Sequence, residues 1–155
     1  MCPNEQLGRM TPISTRANVA LAGTFGYELD FARLSVPELE QIPEQVRLYH
    51  KYRPLVEEGD YYRLHSWTES ESYDSWMLVS KDGNEALVTY VQVLASANVL
   101  GIFLPLDGLV SDARYTIEET GETFFGDELM NCGLKISPMK DFESRLFHLL
   151  RAAEN

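Results

Sequence analysis

The sequence predicts a mainly β fold: an antiparallel β-sandwich preceded by one strand and one helix of a parallel α/β arrangement. Two observations carry this. Before Gly59 the apolar residues recur at helical spacing, whereas after it they come in short runs rich in Val, Tyr, Phe, Leu and Trp. Those runs lie roughly ten residues apart with turn residues between them, the pattern of an antiparallel sandwich. A third consideration concerns the first part. A single strand–helix unit of a parallel fold cannot stand alone, because a parallel strand needs neighbours on both sides and helices over both faces. The chain therefore divides into residues 1–59, the last piece of something larger, and residues 60–155, the sandwich.

Met1–Arg16 carries Pro3, Gly8 and Pro12 among polar residues and is expected as loop. Val19–Ala22, ended by Gly23 and Gly26, is expected as a short buried strand. Ser35 offers a helix N-cap, with Glu38 three residues on to complete a capping box. Leu39, Ile42, Val46 and Tyr49 then form one amphipathic stripe. Pro43 and Pro54 should each kink or shorten that helix, since proline lacks the amide hydrogen. Strands are expected at Tyr61–Trp67, Tyr73–Ser80, Glu85–Ala95, Ile102–Leu106, Arg114–Glu119 and Ser144–Leu150. Lys81-Asp82-Gly83-Asn84 supplies a hairpin turn. Glu85–Ala95 is apolar on both faces, which places it centrally in its sheet.

The 155 residues hold 24 acidic and 13 basic side chains, a net charge of −11 that repels phosphate backbones and argues against nucleic acid. The apolar stretches Ala86–Ala95 and Val99–Leu106 are too short and interrupted to span a bilayer. No basic region followed by an apolar core opens the sequence as a secretion signal would. Cys2 and Cys132, read as two unpaired thiols, fit a reducing cytoplasm. His50, His65 and His148 are scattered without metal-ligand spacing, so neither a metal nor a cofactor is expected.

Three constellations invite a chemical reading. Glu28 and Asp30, within Phe25-Gly26-Tyr27-Glu28-Leu29-Asp30, lie just past the expected strand, where a barrel would place catalytic carboxylates. Neither has an evident partner, and a structural role is preferred. Tyr61, Tyr62, Trp67, Tyr73 and Trp76 form an aromatic cluster. By simple alternation Tyr61, Arg63, His65 and Trp67 would share one face as a platform for sugar rings, although core or domain-junction packing is the better reading. Asp127, Glu128 and Asn131, within Gly126–Gly133, lack the alternating oxygens of a calcium loop and read as a turn followed by a short capped segment. No catalytic, substrate-binding or metal residue is assigned.

Taken in order, several motifs resemble the end of a glycoside hydrolase family 36 α-galactosidase. Cys2-Pro3-Asn4 with Gln6, Gly8-Arg9 and Thr11-Pro12 is similar to the loop after the last catalytic stretch of that family's barrel. Thr15–Ala20 and Phe25–Asp30 resemble its final barrel strand and exit, and Tyr52-Arg53-Pro54-Leu55 its last helix. Trp76–Ser80, Glu85–Val88, Gly126–Asn131 and Ser144–Leu149 resemble its C-terminal sandwich. Pro43 departs from the usual family helix. The resemblance implies a (β/α)8 catalytic barrel ahead of the sandwich and a retaining hydrolysis of terminal α-linked galactose from sugars such as melibiose and raffinose. A retaining mechanism uses two carboxyl groups roughly 5–5.5 Å apart. In the family both are aspartates N-terminal to the stretch matched here, so the chain alone is expected to be inactive, with α-galactosides reached through the parent enzyme's barrel and homo-oligomerisation open. The other reading is a free-standing, non-catalytic β-sandwich for sugar binding or subunit assembly.

Overall fold

The strand-forming runs pair into two antiparallel sheets. The computed structural model describes residues 11–153, so Cys2 and the motifs before residue 11 lie outside the described residues. Strands β1 (Asp60–His65), β2 (Tyr73–Val79), β3 (Glu85–Gln92), β4 (Ile102–Leu104), β5 (Arg114–Ile117), β6 (Thr123–Phe125), β7 (Leu134–Ile136) and β8 (Ser144–Arg151) follow in chain order. Six form one sheet in the order β1-β2-β3-β8-β5-β6, and β4 pairs with β7 in a second. All pairings are antiparallel. β3 is flanked by β2 and β8, and Ala86 to Gln92 are buried throughout, as its two-faced apolar sequence predicts.

Alternation of side chains gives the large sheet two working faces. The row Met77–Val88–Phe147 points one way, into a core with Tyr90, Tyr115 and Leu149. Its roof is the β4–β7 sheet and helix α5 (Gly126–Asn131), which contribute Leu104, Leu129, Leu134 and Ile136. Each such side chain, fully buried, stabilises the fold by about 1.5–3 kcal/mol relative to exposure. The row Leu78–Leu87–His148 points the other way. Helix α3 (Ile42–Glu58) covers it with Tyr52 and Leu55, supported by Leu48 and Val56.

The expected strand at Val19–Ala22 is instead the end of helix α1 (Ile13–Ala20) and the turn after it, and the expected loop gives way to helix from Ile13. Ile13, Ala17 and Leu21 recur every fourth residue and are all buried, a helical stripe that the short run Val19–Ala22 conceals. This helix lies against β8 and β3. Asn18 Nδ2 donates to Ser144 Oγ at 2.9 Å, and that hydroxyl donates to Thr15 Oγ1 at 3.0 Å.

The capping box forms as expected. Ser35 caps α2 (Val36–Leu39), and its backbone N–H donates to Glu38 Oε2 at 2.9 Å. These hydrogen bonds hold the Glu38 carboxyl below its ordinary range. Pro43 falls in the first turn of α3, where an amide hydrogen has no intrahelical partner, so it begins a second helix. Pro54 lies inside α3, which nevertheless continues to Glu58. The stripe facing the sheet is Leu48–Tyr52–Leu55–Val56, not Leu39–Ile42–Val46–Tyr49. The helix carries two apolar stripes: the sheet takes the one with Tyr52 and Leu55, and the Phe25 ring stacks on Tyr49 of the other. Of the three strands that are three residues long, β4 lies within the expected run Ile102–Leu106, whereas β6 and β7 show no period in the sequence.

Candidate functional site

The carboxylates of the first constellation, Glu28 and Asp30, are both exposed. Phe25, Tyr27 and Leu29 are half-buried while Gly26, Glu28 and Asp30 are exposed, the alternation of extended chain. The Phe25 ring stacks on Tyr49 with centroids 5.1 Å apart, and the Tyr27 hydroxyl donates to Gln45 Oε1 at 2.8 Å. Asp30 caps the 3-10 turn Phe31–Arg33 by accepting the Ala32 amide hydrogen at 3.0 Å. The segment thus fastens itself to α3 through its rings and spends Asp30 on a turn.

The aromatic cluster is split between the two faces of the sheet. A bulge between Arg63 and His65 sets His65 opposite Ser75, on the core side, so simple alternation fails from that point. The His65 ring stacks on Tyr73 at 4.1 Å and Tyr73 on Tyr90 at 5.1 Å. Burial raises both tyrosine hydroxyls, Tyr90 to about 12. Tyr90 donates to Gln92 Oε1 at 2.9 Å, and Gln92 in turn holds the Ser72 and Leu94 carbonyls. Tyr62 packs against the core, whereas Trp76 is buried on the helix-bearing face. Trp67 leaves the strand altogether to open the short helix α4 (Trp67–Ser70). Tyr61 remains exposed, with Arg63 over its ring at 5.9 Å and Arg63 Nη1 2.8 Å from Asp74 Oδ1.

Gly126–Gly133 is an anchor for the roof. Leu129 is fully buried, Asn131 Nδ2 donates to the Asp127 carbonyl at 2.8 Å, and Asp127 Oδ1 accepts the Glu128 amide hydrogen. Gly126 is required by contact: a Cβ there would sit 2.2 Å from the Val110 carbonyl oxygen. Among the described residues no group of three or more His, Cys, Asp or Glu gathers as a metal site.

One constellation escaped the sequence reading. His148, on β8, is 2% exposed, yet both ring nitrogens meet carboxylates: Nδ1 lies 2.9 Å from Glu118 Oε2 and Nε2 2.7 Å from Glu85 Oε1. A carboxylate only accepts, so both bonds form when both ring nitrogens carry hydrogen. The His148 amide hydrogen is donated to the Glu119 carboxylate. From α3, Tyr52 meets the imidazole edge to face at 5.0 Å, and Lys51 Nζ donates to Glu118 Oε2. The bonds from Lys51 and then from His148 hold the Glu118 carboxyl down at about 2. Burial raises the Tyr52 hydroxyl. The sequence signal is faint: an acidic pair after a strand, and a histidine on the far side of an apolar strand. Its partners lie 30 and 63 residues away.

The described residues form a six-stranded antiparallel sheet, roofed on one face and carrying helices on the other, and the known proteins that the chain matches give its class, a C-terminal domain of a glycosyl hydrolase. Residues 73–149 match the glycosyl hydrolase family 36 C-terminal domain, and residues 1–59 match melibiase. The chain belongs to glycoside hydrolase family 36 and corresponds to the C-terminal region of its α-galactosidases. It is 42% identical over 146 residues to the bifunctional α-galactosidase/sucrose kinase AgaSK of Mediterraneibacter gnavus, covering 94% of this chain and 16% of that protein. It is 43% identical over 148 residues to α-galactosidase AgaA of Geobacillus stearothermophilus, covering 95% and 20%. The galactosidase domain of AgaSK superposes with a TM-score of 0.91 at 40% identity, over 98% of this chain and 21% of that one. A variant of AgaA solved in complex with raffinose superposes equally well, at 0.91 and 41% identity, again over 98% and 21%. The chain thus spans about a fifth of the length of the relatives it matches.

Proposed function

We propose that the chain serves as the C-terminal portion of an α-galactosidase that removes terminal α-D-galactosyl residues from galacto-oligosaccharides such as melibiose and raffinose. It acts as a structural, accessory part and lacks the catalytic aspartates. The observation that carries this reading is the match along nearly the whole chain, 98% of it at a TM-score of 0.91, to one fifth of a galactosidase domain. Residues 1–59 form the end of the catalytic barrel, with the extended stretch 24–29 as its last strand and α3 as its last helix. Residues 60–155 form the C-terminal β-domain. Galactosides reach the enzyme through the barrel; nucleic acid and membrane are not partners, and self-association is compatible with this role. Among the described residues no helix is long and apolar enough to cross a membrane. The exposed free thiol of Cys132 supports a cytoplasmic setting.

The purified chain is expected not to hydrolyse an aryl α-galactoside, because enzymes supply roughly 8–23 kcal/mol of barrier lowering and the carboxylate pair is elsewhere. Mixing it with the complementary N-terminal portion of a relative should yield turnover. Hydrolysis by the chain alone, abolished by Glu28→Gln or Asp30→Asn, would overturn the assignment.

A further inference from the structure

The His148 cluster joins four segments that are far apart in sequence, and its members are of opposite charge. Glu85 comes from β3, His148 from β8, and Glu118 and Glu119 from the segment after β5. Lys51 and Tyr52 come from α3. Glu118 is the hinge of the set, because one of its oxygens accepts from both Lys51 and the His148 ring. The apolar part of the α3 contact is centred on Tyr52 and Leu55 against Leu78 and Leu87. The opposite face of the sheet holds the main core.

We propose that Lys51, Glu118 and His148 form an acid-sensitive latch that docks α3 onto the sheet, so that protonation of Glu118 frees the helix while the sheet and its roof stay folded. The charges argue for this order. When both ring nitrogens of His148 carry hydrogen and Glu118 is ionised, Lys51 and the ring both donate to the same carboxylate oxygen. A proton on Glu118 removes the hydrogen-bonded counter-charge from Lys51, whose other acidic neighbour is Glu44. It also removes one of the two carboxylates bonded to the buried ring, leaving Glu85 on the ring and Glu119 on the His148 backbone amide. Arg47 is the further cation that faces Glu118. A buried charge that loses its partner is strongly unfavourable, and undocking α3 restores its access to water. The Glu118 carboxyl is held below its ordinary value, so its stabilising contribution is complete above about 4.5 and is lost as pH falls toward about 2.

The test is amide hydrogen exchange on the full 155-residue chain, corrected for intrinsic rates, between neutral pH and about pH 3. Amides of α3 around Tyr52 and Leu55 should lose protection by about tenfold or more, the scale of one charge-assisted hydrogen bond, while Val88 and Leu149 lose much less. Glu118→Gln, at a half-exposed position compatible with folding, should show the loosened α3 already at neutral pH and little further change in acid. Lys51→Met should weaken α3 protection in the same direction. Loss of protection in α3 and β3 together, no loss in α3, or an undiminished acid response in Glu118→Gln would each overturn the latch.

Discussion

At the scale of single residues, the side chains that matter most are those that satisfy groups distant in sequence. Tyr115 is fully buried, and its hydroxyl donates to the Gly83 carbonyl at 2.7 Å while accepting the Val110 amide hydrogen at 3.1 Å. It thereby ties the hairpin after β2 to the loop before β5. Gly83 has φ +67°, the conformation that the Asp-Gly turn predicts. Asp82 accepts from the Ser80 hydroxyl, the Asn84 amide hydrogen and Asn84 Nδ2, which together lower its carboxyl. Tyr115→Phe should therefore cost about 1–3 kcal/mol, because it leaves a buried carbonyl and amide without their partner. Gly126→Ala should destabilise too, since its methyl would press on the Val110 backbone oxygen, which cannot swing aside as a side chain could. Thermal unfolding of the two variants checks both. An unchanged midpoint for Tyr115→Phe would show that water replaces the lost hydroxyl. Turn chemistry was legible in the sequence because it is local. The Tyr115–Gly83 and His148 bonds were not, because nothing near those residues in sequence names their partners, 32, 30 and 63 residues away.

At the scale of elements, what could be read depended on length and on repetition. The long strands were legible because five or more residues of β-forming sequence between turn signals leave few alternatives, and β3 was placed centrally from its two apolar faces. β6 and β7 are three residues each and carry no period. The bulge at Arg63/His65 broke the alternation on which the sugar platform depended. α1 was misread because four small apolar residues suit a buried strand as well as a helix, and only the spacing of Ile13, Ala17 and Leu21 decides between them. α3 holds the sharpest case, since both its stripes are apolar and only the sheet chooses. Leu55→Ala, on the stripe that faces Leu78 and Leu87, should cost about 2–5 kcal/mol. Val46→Ala, on the stripe expected from the sequence and only half-buried here, should cost less than about 1 kcal/mol. Urea unfolding of the two variants compares them directly. Equal losses would mean that α3 has no preferred face against the sheet.

At the scale of the whole molecule, the large sheet has one face closed by its own chain and the other closed by residues 11–59. The first face, with its roof from β4, β7 and α5, needs nothing from before Asp60. The second depends on α3, which covers Leu78 and Leu87 and completes the surroundings of His148, and on α1, which lies against β8 and β3. A chain reduced to residues 60–155 is therefore expected to fold, because the main core is intact, but at a cost. Each apolar side chain returned to water forfeits about 1.5–3 kcal/mol. The same truncation removes Lys51 from Glu118 and Tyr52 from the His148 ring. The resulting bare face, with Leu78, Leu87 and Leu146 side by side, is an apolar patch of the kind that drives association. Far-ultraviolet circular dichroism should show β structure in the truncated chain. Urea unfolding should place its midpoint well below that of the full chain, and a hydrophobic dye should bind it more strongly. If the truncated chain is unfolded, the core facing the roof is not self-sufficient, and α1 and α3 belong to the same cooperative unit as the sheet. If it is as stable as the full chain and binds no dye, the helices add nothing to the sheet.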